Sequence, residues 1–211
     1  MTVQLLPASR RARLILGALA AVVGLTLAFA AGYFGPRFTA PGDDSAEAGF
    51  ARDMAQHHAQ AVEMAMYGYR LSPSEQVRIM AYDMVTSQQW QIGAMQTWLE
   101  EWRLSPSRTG SAMEWMPNGA AEVQPDGRMP GMATTTELMQ LQAAKGREFD
   151  ILFCQLMLRH HLGGVHMAQA ILKLTDHEHV RSMAEKVIAT QQKENDILAH
   201  LLQDYGAKPL Q

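Results

Sequence analysis

The sequence predicts an all-α protein: a four-helix bundle built from two copies of a helical hairpin, preceded by an N-terminal transmembrane helix. Three observations carry that reading. Residues 50–102 recur as residues 153–205 without a gap, at an offset of 103 positions. In both copies the apolar residues return at alternating four- and three-residue spacings, which places them on one face of a helix. Between Arg13 and Gly35 lies an apolar run with no charge in it.

Residues 1–13 form a basic segment with Arg10, Arg11 and Arg13, and residues 14–34 are the apolar run. About 20 apolar residues suffice to span a bilayer as one helix. Arginines on its N-terminal side hold that end in the cytoplasm, so the chain from Pro41 onward is expected outside it. A cleavable signal sequence, giving a secreted or periplasmic product, is the alternative, with "AFA" at residues 28–30 as a cleavage site. Signal cores are usually shorter, about 7–15 residues, which favours the uncleaved anchor. Residues 35–45 are turn-forming and polar and read as a linker.

The bundle domain is expected over residues 46–206, with a first hairpin at 46–103, a long connection at 104–133 and a second hairpin at 134–206. The first helix starts near Ala46 and reaches Arg70, where "LSPSE" breaks it and Ser72 or Ser74 can cap the next. The second runs from Ser74 to about Arg103. Prolines 106, 117, 125 and 130 make the connection irregular. A third helical region runs from Thr136 to Leu174, with a break near Gly146. "TDHEH" turns the chain into a fourth helix, Glu178 to Tyr205. Phe50 matches Phe153, Met54 matches Met157, and His57 and His58 match His160 and His161. The match continues through Val77 and Val180 to Gln88 and Gln191, which marks a duplication.

The core stripes carry polar residues. The first helix presents Phe50, Met54, His57, Ala61, Met64 and Gly68, and the third presents Phe153, Met157, His160, Gly164, Met167 and Ile171. Folding each hairpin about its turn brings His57 level with Gln88, Met54 with Gln91, His160 with Gln191 and Met157 with Glu194. Buried polar groups without partners cost about 1–3 kcal/mol each. The level therefore either satisfies itself by hydrogen bonds or holds something. Each histidine pair has a methionine three residues before its first member and another seven after it: Met54 and Met64, Met157 and Met167. Imidazole suits copper, zinc, iron and nickel, and thioether adds a preference for Cu(I). His58 and His161 lie about 100° round the helix from the first histidines and add a ligand or cap the edge. Glu63 and His166 point further away, and His177 and His179 fall in a turn. Imidazole binds metal when neutral, so affinity is expected to fall below about pH 6.5.

The pattern "FxxxMxxHHxxAVEMA" and the stretch "MPGMATTTELMQLQAAKGREFDILFCQLMLRHH", residues 129–161, resemble the exported family known as domain of unknown function 305. The resemblance covers about residues 46–206. It implies a ferritin-like four-helix bundle and, for members with an assigned role, periplasmic copper binding. The positions it implies as ligands are Met54, His57, His58, Glu63 and Met64, then Met157, His160, His161 and Met167, with Glu194 in the last helix and Met129 and Met132 in the connection. The family's acidic residue in the second helix is Gln91 here, the methionine of the last helix is Leu198, and His166 stands where a glutamate is usual.

The expected function is therefore an extracytoplasmic copper-binding protein, a buffer or chaperone for Cu(I) or Cu(II) rather than an enzyme. It would exchange copper with a protein partner. A helical module without metal is the alternative. A di-iron enzyme fits less well, because no glutamate stands three residues before any histidine. The 18 basic and 21 acidic residues give no footprint for nucleic acid. The single cysteine, Cys154, excludes an internal disulfide.

Overall fold

A computed structural model describes residues 9–108 and 110–210. Two units are distinct, Met1–Ala40 and Pro41–Gln211. In the first, α1 spans Arg10–Thr39 and starts on Ser9, whose side chain accepts from the Ala12 amide. Residues Arg10–Gly32 are long and apolar enough to cross a membrane. The helix runs past Gly35 and Pro36, so the turn-forming stretch is 40–45 rather than 35–45. A proline forfeits one backbone hydrogen bond and need not end a helix.

The second unit holds α2 (Ala46–Leu71), α3 (Glu75–Glu101), α4 (Gly119–Glu122), α5 (Thr135–Ala143), α6 (Gly146–Ile171) and α7 (Glu178–Asp204). Among the described residues there is no strand. Ser45 caps α2 and Ser74 caps α3. Thr134 and Glu137 form a capping box on α5, which satisfies two otherwise unpaired amides. The expected break near Gly146 separates α5 from α6, and Gly146 takes a φ of 57°.

α2 packs on α3, α6 on α7, and α2 on α6. Two apolar cores share the bundle. One gathers Phe50 and Met54 of α2, Met95 and Leu99 of α3, Met167 and Ile171 of α6, and Val180 and Val187 of α7. The other gathers Ala61 and Met64, Val77 and Met84, Phe153 and Met157, and Leu198 and Leu202. α2 and α7 therefore run in one direction, α3 and α6 in the other. The connection from α3 to α6 travels the length of the bundle. Its Met113, Met116, Met129 and Met132 join the first core, and Ala133 and Leu141 the second.

The duplication reappears as reciprocal hydrogen bonds between the hairpins. Ser72 Oγ donates to buried Asp150 at 2.5 Å, and Thr175 Oγ1 donates to Glu47 at 2.5 Å. Ser72 matches Thr175 and Glu47 matches Asp150 at the repeat offset. Each turn thus pins the start of the opposite hairpin. Buried Asp53, hydrogen-bonded by the Met113 amide (2.7 Å) and the Trp115 indole (2.9 Å) and paired with Arg108, fixes the first leg of the connection.

Candidate metal centre

Between the two cores lies a polar layer. His57, His58, His160 and His161 are each 0% exposed. Their helices place them by the pseudo-twofold relation of the hairpins. His57 and His160, from α2 and α6, face each other with ring centroids 3.8 Å apart and planes 36° apart. His58 Nε2 lies 2.7 Å from Gln91 Oε1 on α3, and His161 Nε2 lies 2.7 Å from Glu194 Oε2 on α7. So the second histidine of each pair bonds across its own hairpin, while the first meets its counterpart across the duplication. All four belong to one layer.

The connection supplies a further partner. His57 Nε2 lies 3.3 Å from the Pro130 carbonyl oxygen. The turn at Met129–Met132 fits against α6 because two glycines leave room. Gly131 has a φ of 81°, and a Cβ there would stand 2.6 Å from the Arg159 carbonyl oxygen. A Cβ on Gly163 would collide with the Pro130 carbonyl. Gln60 holds the turn's exit by accepting from the Ala133 amide (2.7 Å) and donating to its carbonyl (3.0 Å). Arg159 grips Glu137 with two contacts of 2.8 Å. None of these supports follows from helical periodicity. The "PG" of the connection and the "GG" of α6 were their only visible trace.

Carbonyl and carboxylate oxygens only accept, so His57 and His161 donate through Nε2–H, as does His58 to Gln91 Oε1. In a neutral imidazole the other nitrogen then carries a free lone pair. Those Nδ1 atoms are buried without partners, and the His160 ring has no well-formed hydrogen bond, its nearest backbone partner being that of His57. The amides of Gln88 and Gln191 are likewise unpartnered. Gln191 leans over Gly164, where a Cβ would come within 2.6 Å of its Oε1. A self-satisfied hydrogen-bond layer would not leave a ring nitrogen of every one of its four histidines unpaired. Histidines that donate one N–H to an oxygen and offer the other nitrogen have the form of metal ligands with their outer partners.

Burial lowers the proton affinity of three of these rings. It brings His57 to about 4 and His58 to about 3, and it depresses His160 well below 6.5, with neighbouring histidines adding to the effect on His58 and His160. They are neutral at pH 7, as ligation requires. Charging His57, His58 or His160 would place a cation in an apolar interior, which keeps these three rings unprotonated below their usual range.

Met54, Met129, Met132 and Met167 lie in the core on one side of the layer, together with Met95, Met113, Met116 and Met183. Met64 and Met157 lie in the core on the other side. Glu63 and His166 are not brought to the layer. Glu63 is exposed and accepts from Tyr67 (3.3 Å), and His166 is exposed and pairs with Glu122 (2.8 Å). Side chains at those positions leave α2 and α6 on the solvent side. Among the described residues, no three His, Cys, Asp or Glu side chains converge into a ready-made metal cage. The stacked rings would have to turn to share an ion.

The sequence profile of the DUF305 family, a domain of unknown function, matches residues 47–202. The chain belongs to the DUF305 family. A DUF305 protein from Streptomyces coelicolor is similar in structure at a TM-score of 0.73 and 37% identity, over 81% of this chain and 99% of that one. A DUF305 fragment from Deinococcus radiodurans matches at 0.62 and 29%, over 75% and 96%. CopM in its Cu(I)-bound form matches at 0.59 and 19%, over 78% and 98%, which shows a shared fold. No curated protein matches. Gln91 bonds His58 and Glu194 bonds His161, so this chain places a carboxylate against the second histidine of one hairpin and an amide against that of the other.

Proposed function

We propose that this chain is an extracytoplasmic copper-binding protein that holds Cu(I) as cargo, without turnover, in the buried histidine layer. The observation that carries the reading is the set of unpartnered ring nitrogens on His57, His58, His160 and His161. Three of those rings are held in one tautomer by oxygen acceptors. Methionine-rich cores on both sides offer thioethers, which favour Cu(I) over harder ions. CopM, solved in Cu(I)-, Cu(II)- and Ag-bound forms, has the same fold, which supports the reading. The apolar helix at the N-terminus anchors the chain in the membrane in this account, with the bundle outside the cytoplasm. Release after signal cleavage is the alternative. A buffer or chaperone of this kind exchanges copper with a partner protein.

A purely structural polar layer is the second reading. It fits the His58–Gln91 and His161–Glu194 bonds and leaves the unpartnered Nδ1 atoms unexplained. A di-iron enzyme would need several inward carboxylates, whereas Glu63 points outward. X-ray absorption at the copper edge on the full-length protein loaded under reducing conditions tests the proposal. Imidazole nitrogen together with thioether sulfur around the ion is expected. Copper that is not retained, or is bound by oxygen alone, would overturn it.

A further inference from the structure

The four imidazoles are fully buried, so an ion that reaches them must pass between elements. A groove of about 590 Å³ lies between α3 and α7. Glu75, Ile79, Met80 and Asp83 line it from α3, and Glu194 and Ile197 from α7. Glu194 links it to the histidine layer. The side chain is 12% exposed, and it contacts His161, whose side chain is 0% exposed, at 2.7 Å. His161 Nδ1, on the far side of that ring, has no partner. A cation moving along the groove meets three carboxylates and a thioether. Among the described residues no Lys or Arg lines it. A cleft with one sign of charge and apolar walls concentrates the opposite ion and speeds its arrival.

The duplication supplies an internal comparison. At the repeat offset Glu194 matches Gln91, Asp83 matches Lys186 and Glu75 matches Glu178. The equivalent path toward His58 therefore has an amide and an ammonium where this one has two carboxylates. Lys186 Nζ sits 5.9 Å from the ring centroid of Trp90 on α3. The acidic path exists in one copy.

We propose that the groove between α3 and α7 is the port through which Cu(I) reaches the histidine layer, with Glu194 as the carboxylate that passes the ion to the imidazoles. This inference rests on the copper reading above. It is tested with the metal-free full-length protein in detergent. Ag(I), a redox-inert stand-in for Cu(I), is added by rapid mixing, and the silver retained after a chelator quench is measured against time. The Ile79→Lys/Asp83→Lys double variant places two cations at exposed groove positions. Glu100→Lys makes a charge reversal at an exposed position of α3 outside the groove. The double variant is expected to load at least tenfold more slowly to the same final silver content, and Glu100→Lys at the wild-type rate. Loading of the double variant at the wild-type rate, or equal slowing of both variants, would overturn the port and leave the copper reading standing. A wild type that retains no silver would overturn both.

Discussion

The histidine layer is costly to the folded chain unless something occupies it. Two of its rings have affinities of about 4 and about 3 for the proton, against 6.5 in the open chain. Between those values the unfolded state binds protons that the folded state refuses, so stability is lost as pH falls. Each such ring removes up to about 1.4 kcal/mol per pH unit across that window. The metal-free protein is therefore expected to keep its melting temperature from pH 8 to about 6.5 and to lose it progressively toward pH 4. Thermal melts followed by circular dichroism check this. A second expectation concerns His160, whose ring makes no well-formed hydrogen bond and has only the His57 backbone beside it. His160→Phe replaces an unsatisfied polar ring by an apolar one of similar shape. It should raise the stability of the metal-free protein by about 1–3 kcal/mol in urea unfolding and weaken Cu(I) binding. A loss of stability would mean that the ring is satisfied after all.

At the level of elements, much was legible in the sequence. The offset that aligns Phe50 with Phe153 and His57 with His160 gave both hairpins, and heptad-like spacing put the first histidines on the core stripe. Helical periodicity left the second histidines open, as an added ligand or as a cap on the edge. His58 and His161 are as buried as their neighbours, because α3 and α7 each bring a polar residue, Gln91 or Glu194, to meet them. That contact depends on how the two helices of a hairpin rotate against each other, which a one-helix pattern does not contain. The course of the connection was equally hidden. Its seat depends on close backbone approach at Gly131 and Gly163, and a glycine in a sequence does not name what approaches it. Gly163→Ala should cost about 1–3 kcal/mol of stability by overpacking, read as a lower urea midpoint. It should also loosen the Pro130 contact to His57. Wild-type stability would show that the turn is not held against α6.

Across the whole molecule, the duplication produces a nearly symmetric scaffold with unequal chemistry. The reciprocal bonds Ser72–Asp150 and Thr175–Glu47 are alike at the two ends, while the partners of the second histidines are an amide in one hairpin and a carboxylate in the other. Packing preserves the first kind of equivalence, since each end must close on its own core. The layer between the cores has no such need for matching residues, and its differences are where function is expected to lie. The most direct test is the amount of Cu(I) retained by the full-length protein in detergent under reducing conditions, beside a His57→Phe/His160→Phe variant shown by circular dichroism to be folded. Wild type is expected to retain at least one Cu(I) per chain through a chelator challenge, and the variant to lose it. A folded variant that retains as much copper as wild type would contradict this expectation.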